Sequence, residues 1–154
     1  AAAVGVLPEV EKVALFGSVG RPLEKEVPRF RKFRRAGIEI WHECKDVDLA
    51  VWVSNLGRLK ALQKARSRAV GELLASQNIG VAHHQVDVFV LEPSTDRYLG
   101  RLCCFGKCPK GKEECRVAGC GATPFLRRHE GFAFDWPAAS QDVVVLYETD
   151  SRHA

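Results

Sequence analysis

Three carboxylates lie in or beside apolar runs that have the length and composition of β-strands. Asp46 and Asp48 open the run at 49–53, and Asp87 interrupts the run at 86–91. A carboxylate in such a run is costly to bury unless it is paired or binds a cation. Because residues i and i+2 of a strand point to the same face, Asp46 and Asp48 would lie side by side. With the Asp87 strand alongside, the three carboxylates predict a site for divalent metal.

A Gly-Ser pair follows a third apolar run. Gly17 and Ser18 come directly after the segment Val-Ala-Leu-Phe at 13–16. Backbone N–H groups at a turn that opens a helix can bind phosphate oxygens. Two Mg²⁺ ions about 4 Å apart can hold the attacking and leaving oxygens of a phosphoryl displacement. The turn therefore predicts a phosphate site that complements the metal site.

The ordered set of motifs resembles that of the DNA polymerase beta-like nucleotidyltransferases. Residues 15–21, Leu-Phe-Gly-Ser-Val-Gly-Arg, resemble the Gly-Ser-x-Ala-Arg signature of that family. Residues 46–49 resemble its paired-aspartate motif, and residues 85–88 resemble its third-aspartate strand. The resemblance covers roughly residues 10–92 and is nearest to the minimal nucleotidyltransferases. It implies an α+β fold with a central mixed sheet flanked by helices.

The resemblance also implies an activity. The enzyme would transfer a nucleoside monophosphate from a nucleoside triphosphate, with ATP as the expected donor, to an acceptor hydroxyl. The three aspartates would be catalytic and would bind two Mg²⁺ ions, and Gly17, Ser18 and Arg21 would bind the nucleotide. The acceptor is left open between a small molecule, RNA and a protein. The short chain favours a homodimer or a heteromeric partner, and the aspartates of an inactive relative would instead cap strand ends.

Five of the six cysteines fall within eighteen positions of a glycine-containing, loop-like segment. Cys103 and Cys108 are separated by four residues, and so are Cys115 and Cys120. Two such pairs predict a tetrahedral thiolate site for structural Zn²⁺, in which Cys104 could replace Cys103. An iron–sulfur cluster and unligated thiols are the alternatives. The second functional hypothesis is therefore a catalytically inactive, zinc-containing module that binds RNA or a protein partner.

Composition fits an ordinary domain. The chain has 154 residues, of which 46% are hydrophobic, and a formal net charge of +4, which is compatible with nucleotide or nucleic-acid binding without requiring it. No stretch is long and apolar enough to span a membrane, and the first residues lack the basic region of a signal peptide. We therefore expect a cytoplasmic protein without a membrane partner. The predicted segments are a nucleotidyltransferase core at 1–100 with a basic insertion at 22–45, a Cys-rich segment at 101–137, and a final strand and tail at 138–154.

Several local elements can also be predicted. A short helix is expected within 4–12, and a long amphipathic helix is expected at about 56–75, with Lys60, Lys64, Arg66 and Arg68 mostly on its solvent side. Ser54 or Asn55 could cap the start of the long helix, and Gly80 is the expected stop signal. The aromatic residues at 132–136 are expected to pack on the main domain, and the run at 143–147 predicts a last, buried strand.

Overall fold

The protein has an α+β fold built on a six-stranded mixed sheet. The computed structural model describes residues 1–20, 32, 35–37, 46–105, 108, 120, 123–128 and 131–149. Among these, the strands are β1 (Val10–Phe16), β2 (Val47–Val53), β3 (Val86–Leu91), β4 (Tyr98–Leu102), β5 (Leu126–Arg127) and β6 (Val144–Glu148). The helices are α1 (Ala2–Gly5), α2 (Leu59–Gln77) and α3 (Trp136–Ala139). Short 3₁₀ turns lie at Gly17–Gly20, His83–Gln85 and Ser140–Asp142.

The strand order across the sheet is β5-β4-β3-β2-β1-β6. β1 pairs antiparallel with β2 and β6, and β4 pairs antiparallel with β3 and β5. Only β2 and β3, within the described part of the chain, pair in parallel. A parallel pair needs a crossover connection, and α2 lies in that connection. The N-terminal ends of β2 and β3 therefore lie side by side, next to the C-terminal end of β1.

The two faces of the sheet carry different hydrophobic clusters. One face packs against α2 and α1 through aliphatic side chains such as Val51, Val88 and Leu62. The other face packs Phe16 and Phe89 against the segment at 132–136. The predicted packing of that aromatic segment on the domain is confirmed. Because each face is covered by apolar groups, the strand alternation of β2 and β3 is strongly specified.

The long helix is confirmed, but both of its predicted ends were wrong. It begins after Arg58, whose side chain makes no cap, while the Asn55 side chain accepts a hydrogen bond from the Gly57 N–H in the preceding turn. It ends at Gln77, and the capping residue Asn78 adopts the left-handed conformation with φ 55°. Asparagine tolerates this conformation, so the helix stops before Gly80.

Two further expectations were wrong for tertiary reasons. The helix near the N-terminus is confined to Ala2–Gly5, because Val10 already belongs to β1 and pairs with Val53. The last strand, β6, lies at the edge of the sheet, so that much of its apolar surface is exposed rather than buried. Among the described residues, none of the helices has the length and apolar character needed to cross a membrane.

Candidate functional site

Asp48 and Asp87 lie directly opposite each other on the two parallel strands. Each is the second residue of its strand, so both lie near the N-terminal ends of β2 and β3. Both share a face with the aromatic cluster, whereas Val47 packs with the aliphatic cluster on the other face. The predicted alternation along β2 is therefore confirmed, and the structure brings these two carboxylates together.

Asp46 stands just before β2 and is exposed. Asp46 is two residues before Asp48, the spacing that places side chains on one face of a strand. Its negative charge contributes to the raised pKa of Asp48. Burial raises the pKa of Asp48 above its ordinary value of 3.8, and the charges of Asp87 and Asp46 raise it further. Arg101 has the opposite, smaller effect. The site therefore holds Asp48 in an environment that disfavours its ionised form unless positive charge is added.

Gly17 forms the wall of the site next to Asp48. In the register of β1 on β2, Phe16 is opposite Asp48, and Gly17 follows with φ 75°. A Cβ atom at Gly17 would stand 2.7 Å from the Asp48 Oδ2 atom. Position 17 thus favours glycine for two reasons, since the left-handed backbone and the close carboxylate both disfavour a side chain. Ser18 continues the 3₁₀ turn.

The remaining nucleotide-site predictions are not tested. Arg21 lies outside the described residues, and so does the side chain of Ser18. The basic insertion predicted at 22–45 also falls almost entirely outside them. These assignments stay predictions.

Arg101 is a member of the site that the sequence interpretation missed. Its Nη1 atom donates to the Asp87 Oδ2 atom at 3.1 Å, and its guanidinium lies over the Phe89 ring, 4.6 Å from the centroid. The only signal in the sequence is that Arg101 carries the one charge within the β4 segment. Its reach to Asp87 depends on the pairing of β4 with β3, where it is opposite Phe89. One of the predicted metal ligands is therefore engaged in an ion pair.

The carboxylates are neighbours, but they do not form a closed cage. Across the part of the chain that the structure describes, no group of three or more His, Cys, Asp or Glu side chains is arranged to hold a metal ion. The described arrangement is therefore a carboxylate pair, flanked by Asp46 and by the guanidinium of Arg101.

The cysteine segment begins where β4 ends. Cys103 is buried in the aliphatic cluster and its N–H donates to the Phe125 carbonyl at 2.8 Å. Cys108 packs against the same cluster, and the backbone of Cys120 forms an isolated antiparallel β-bridge with Arg127 of β5. Burial raises the pKa of the Cys103 thiol. Cys115, the fourth predicted zinc ligand, lies outside the described residues.

Arg66 links the cysteine segment to the carboxylate strand. Four basic residues were expected to lie mostly on the solvent side of α2; Lys60, Lys64 and Arg68 are exposed, and Arg66 is the exception. The side chain is only 4% exposed. Its guanidinium donates to the carbonyls of Val86, the first residue of β3, and Cys104, at 3.4 and 3.3 Å. Burial lowers the pKa of Arg66, while Cys104 and Cys103 act in the opposite direction. The buried cation fastens the residues next to Asp87 to the start of the cysteine segment.

Comparisons with known proteins provide no family. No family model matches the chain, and neither the curated proteins nor the solved structures give a match.

Replacing Asp48 should change stability in a pH-dependent way. Because the pKa of Asp48 is raised in the folded chain, its ionisation penalty is fully present above that pKa and disappears below the ordinary value of 3.8. Asp48→Asn should therefore raise the free energy of unfolding at pH 7, and the gain should shrink as the pH falls toward 3.8. Urea denaturation of the parent and of Asp48→Asn, in the presence of a chelator and at pH 7 and near pH 4, measures these free energies of unfolding.

Glu72→Gln is the matched control, since Glu72 is an exposed carboxylate on α2, away from Asp48, and its substitution should change stability little. An Asp48→Asn chain that is less stable than the parent at pH 7, or that differs from it equally at every pH, would contradict the electrostatic description.

Proposed function

We propose that this chain is a metal-dependent nucleotidyltransferase, which transfers a nucleoside monophosphate from a nucleoside triphosphate to an acceptor hydroxyl and releases pyrophosphate. The observation that carries the proposal is the lateral pairing of Asp48 with Asp87, beside the glycine turn at Gly17. Two neighbouring carboxylates near the N-terminal ends of parallel strands, next to a turn that can present N–H groups, suit metal-bound phosphate. ATP is the donor we expect.

The donor atoms fit magnesium. Mg²⁺ prefers carboxylate oxygens and keeps several of its waters, so it needs few protein ligands. Burial, and then the charges of Asp87 and Asp46, raise the pKa of Asp48. A bound divalent cation would stabilise the ionised carboxylate that these effects disfavour. Asp46 and Asp48 would hold two Mg²⁺ ions together with Asp87. When bound, such ions neutralise phosphate charge and lower the pKa of a coordinated hydroxyl.

The protein groups would supply position and proton acceptance. Asp87 would face the acceptor and take the proton of its hydroxyl, while backbone N–H groups at Gly17 and Ser18 would orient the triphosphate. Arg21 would add positive charge there. Positioning of this kind and charge stabilisation account for most of the rate enhancement in phosphoryl transfer. The acceptor stays open between a small molecule, RNA and a protein.

The proposal gives Arg101 a specific part. Arg101 pairs with the Oδ2 atom of Asp87 and so offsets its charge. Metal binding would have to share or displace this contact. The stack of Arg101 on Phe89 would keep the guanidinium at the site after the exchange, where it could meet the phosphate charge.

Triphosphate binding should depend on both metal and Asp48. By isothermal titration calorimetry, we expect the chain to bind a nonhydrolysable ATP analogue with Mg²⁺ and to lose that binding in EDTA. Loss of a residue that only hydrogen-bonds to a metal ligand typically lowers metal affinity 10–100-fold. Asp48→Asn alters a direct ligand, so it should weaken triphosphate binding by about tenfold or more.

Glu72→Gln is the matched control, because Glu72 is an exposed carboxylate on α2. It should bind like the parent chain. Binding that ignores both Mg²⁺ and the Asp48 substitution would exclude the proposed site.

A second candidate function is the inactive, zinc-containing binding module for RNA or a protein partner. It is favoured by the position of Cys103 and Cys108 against one hydrophobic cluster, with the buried Arg66 cation close to Cys104. A cation beside several thiolates would offset part of their charge. This hypothesis predicts a metal site without triphosphate binding, whereas the enzyme hypothesis accommodates both.

Zinc content tests the cysteine assignment. The purified chain should contain about one zinc atom per molecule, as structural thiolate sites do. Cys108→Ser should lose most of that zinc, while Cys44→Ser, far from the cluster in sequence, should retain it. Inductively coupled plasma mass spectrometry gives the stoichiometry. Iron with acid-labile sulfide would indicate a cluster instead, and equal zinc in the two variants would remove Cys108 from the site.

A further inference from the structure

The two edges of the sheet are protected to very different degrees. Among the described residues, β5 forms one edge; it has two residues and is followed by Arg128. Short strands and basic side chains are common ways to discourage pairing at an edge. β6 forms the other edge; it has five residues and contains no Lys, Arg or Pro. The edge at β6 therefore lacks the chemical protection that the edge at β5 has.

Exposed apolar residues concentrate at the β6 edge. Val144, Val145 and Leu146 are 44%, 46% and 42% exposed. Val6 is 78% exposed, and it follows Gly5, which packs directly against the ring of Tyr147. We call Val6 together with Val144, Val145 and Leu146 the edge patch. Exposed apolar side chains that concentrate in one region commonly mark an interaction site.

The edge patch continues around the sheet edge rather than covering one face. Val144 is opposite Leu15, which belongs to the aliphatic cluster, and Val145 is opposite Ala14, which belongs to the aromatic cluster. The two valines therefore lie on opposite faces, and both are exposed. A partner that covers both faces has to lie alongside the strand. The register shift of β6 against β1 limits the length of a continuous backbone ladder, so side-chain contact would dominate.

Charge favours a second copy of this chain as the partner. The one charged residue of β6, Glu148, lies at its end and is already paired with Lys12 at 3.0 Å. In an antiparallel arrangement about a twofold axis, the two Glu148 side chains lie at opposite ends of the contact and do not repel. Two chains of net charge +4 can also approach each other most easily through an uncharged surface. We propose that the edge patch is the interface of a weak, twofold-symmetric homodimer.

The unmodified chain provides the first test. In sedimentation equilibrium between about 10 µM and about 1 mM, its mass should rise from 17.1 kDa toward twice that value, as for a small interface. Amide hydrogen exchange across Val144–Glu148 should slow over the same range. A chain that stays monomeric at every concentration, with unchanged exchange at β6, would overturn the proposal.

Charge substitution locates the interface. Val6→Lys and Leu146→Lys each place two like charges in the dimer contact and should raise the dimer dissociation constant at least about tenfold. Leu74→Lys is the matched control, because Leu74 is 53% exposed on α2, and it should dimerise like the parent. Val6 is so exposed that its substitution should leave the fold intact, as circular dichroism would show. Dimerisation that persists in a folded Val6→Lys chain and a folded Leu146→Lys chain would overturn the proposal.

Discussion

The parallel pairing of β2 with β3 is the constraint on which the candidate site depends. Because α2 carries the chain back across the sheet, β2 and β3 run in the same direction and their N-terminal ends lie side by side. Their second residues, Asp48 and Asp87, are therefore lateral neighbours. A slip of one residue would move either side chain to the opposite face, into the aliphatic cluster. The apolar groups on both faces make that slip costly. The hydrophobic core therefore sets the separation of the two carboxylates.

The same arrangement has an electrostatic cost. Burial and two neighbouring carboxylates raise the pKa of Asp48, and Gly17 approaches it too closely for any side chain to intervene. Arg101 relieves part of the charge through Asp87. A site that is destabilised by its own charge without a cation is typical of functional positions, where stability is sacrificed for binding. The proposed metal ions would complete the charge balance that Arg101 begins.

The sequence was sufficient for the strands that flank the site, because β1, β2 and β3 coincide with long apolar runs, and for the existence of α2. It was insufficient wherever the position of a side chain depends on contacts with residues that are distant in sequence. Arg66 follows the helical polar pattern, yet it is buried because its guanidinium reaches the carbonyls of Val86 and Cys104. The ion pair of Arg101 depends on strand register, which periodicity does not provide. An apolar run such as β6 also has the same pattern at the centre and at the edge of a sheet.

Metal location is the most direct test of the central claim. Crystals soaked with a nonhydrolysable nucleoside triphosphate and Mn²⁺ can be measured for anomalous scattering. The proposal predicts a manganese peak within about 2.5 Å of carboxylate oxygens of Asp48 and Asp87, in contact with the triphosphate. A bound triphosphate with no peak at these residues, and with Asp87 still joined to Arg101 alone, would contradict it.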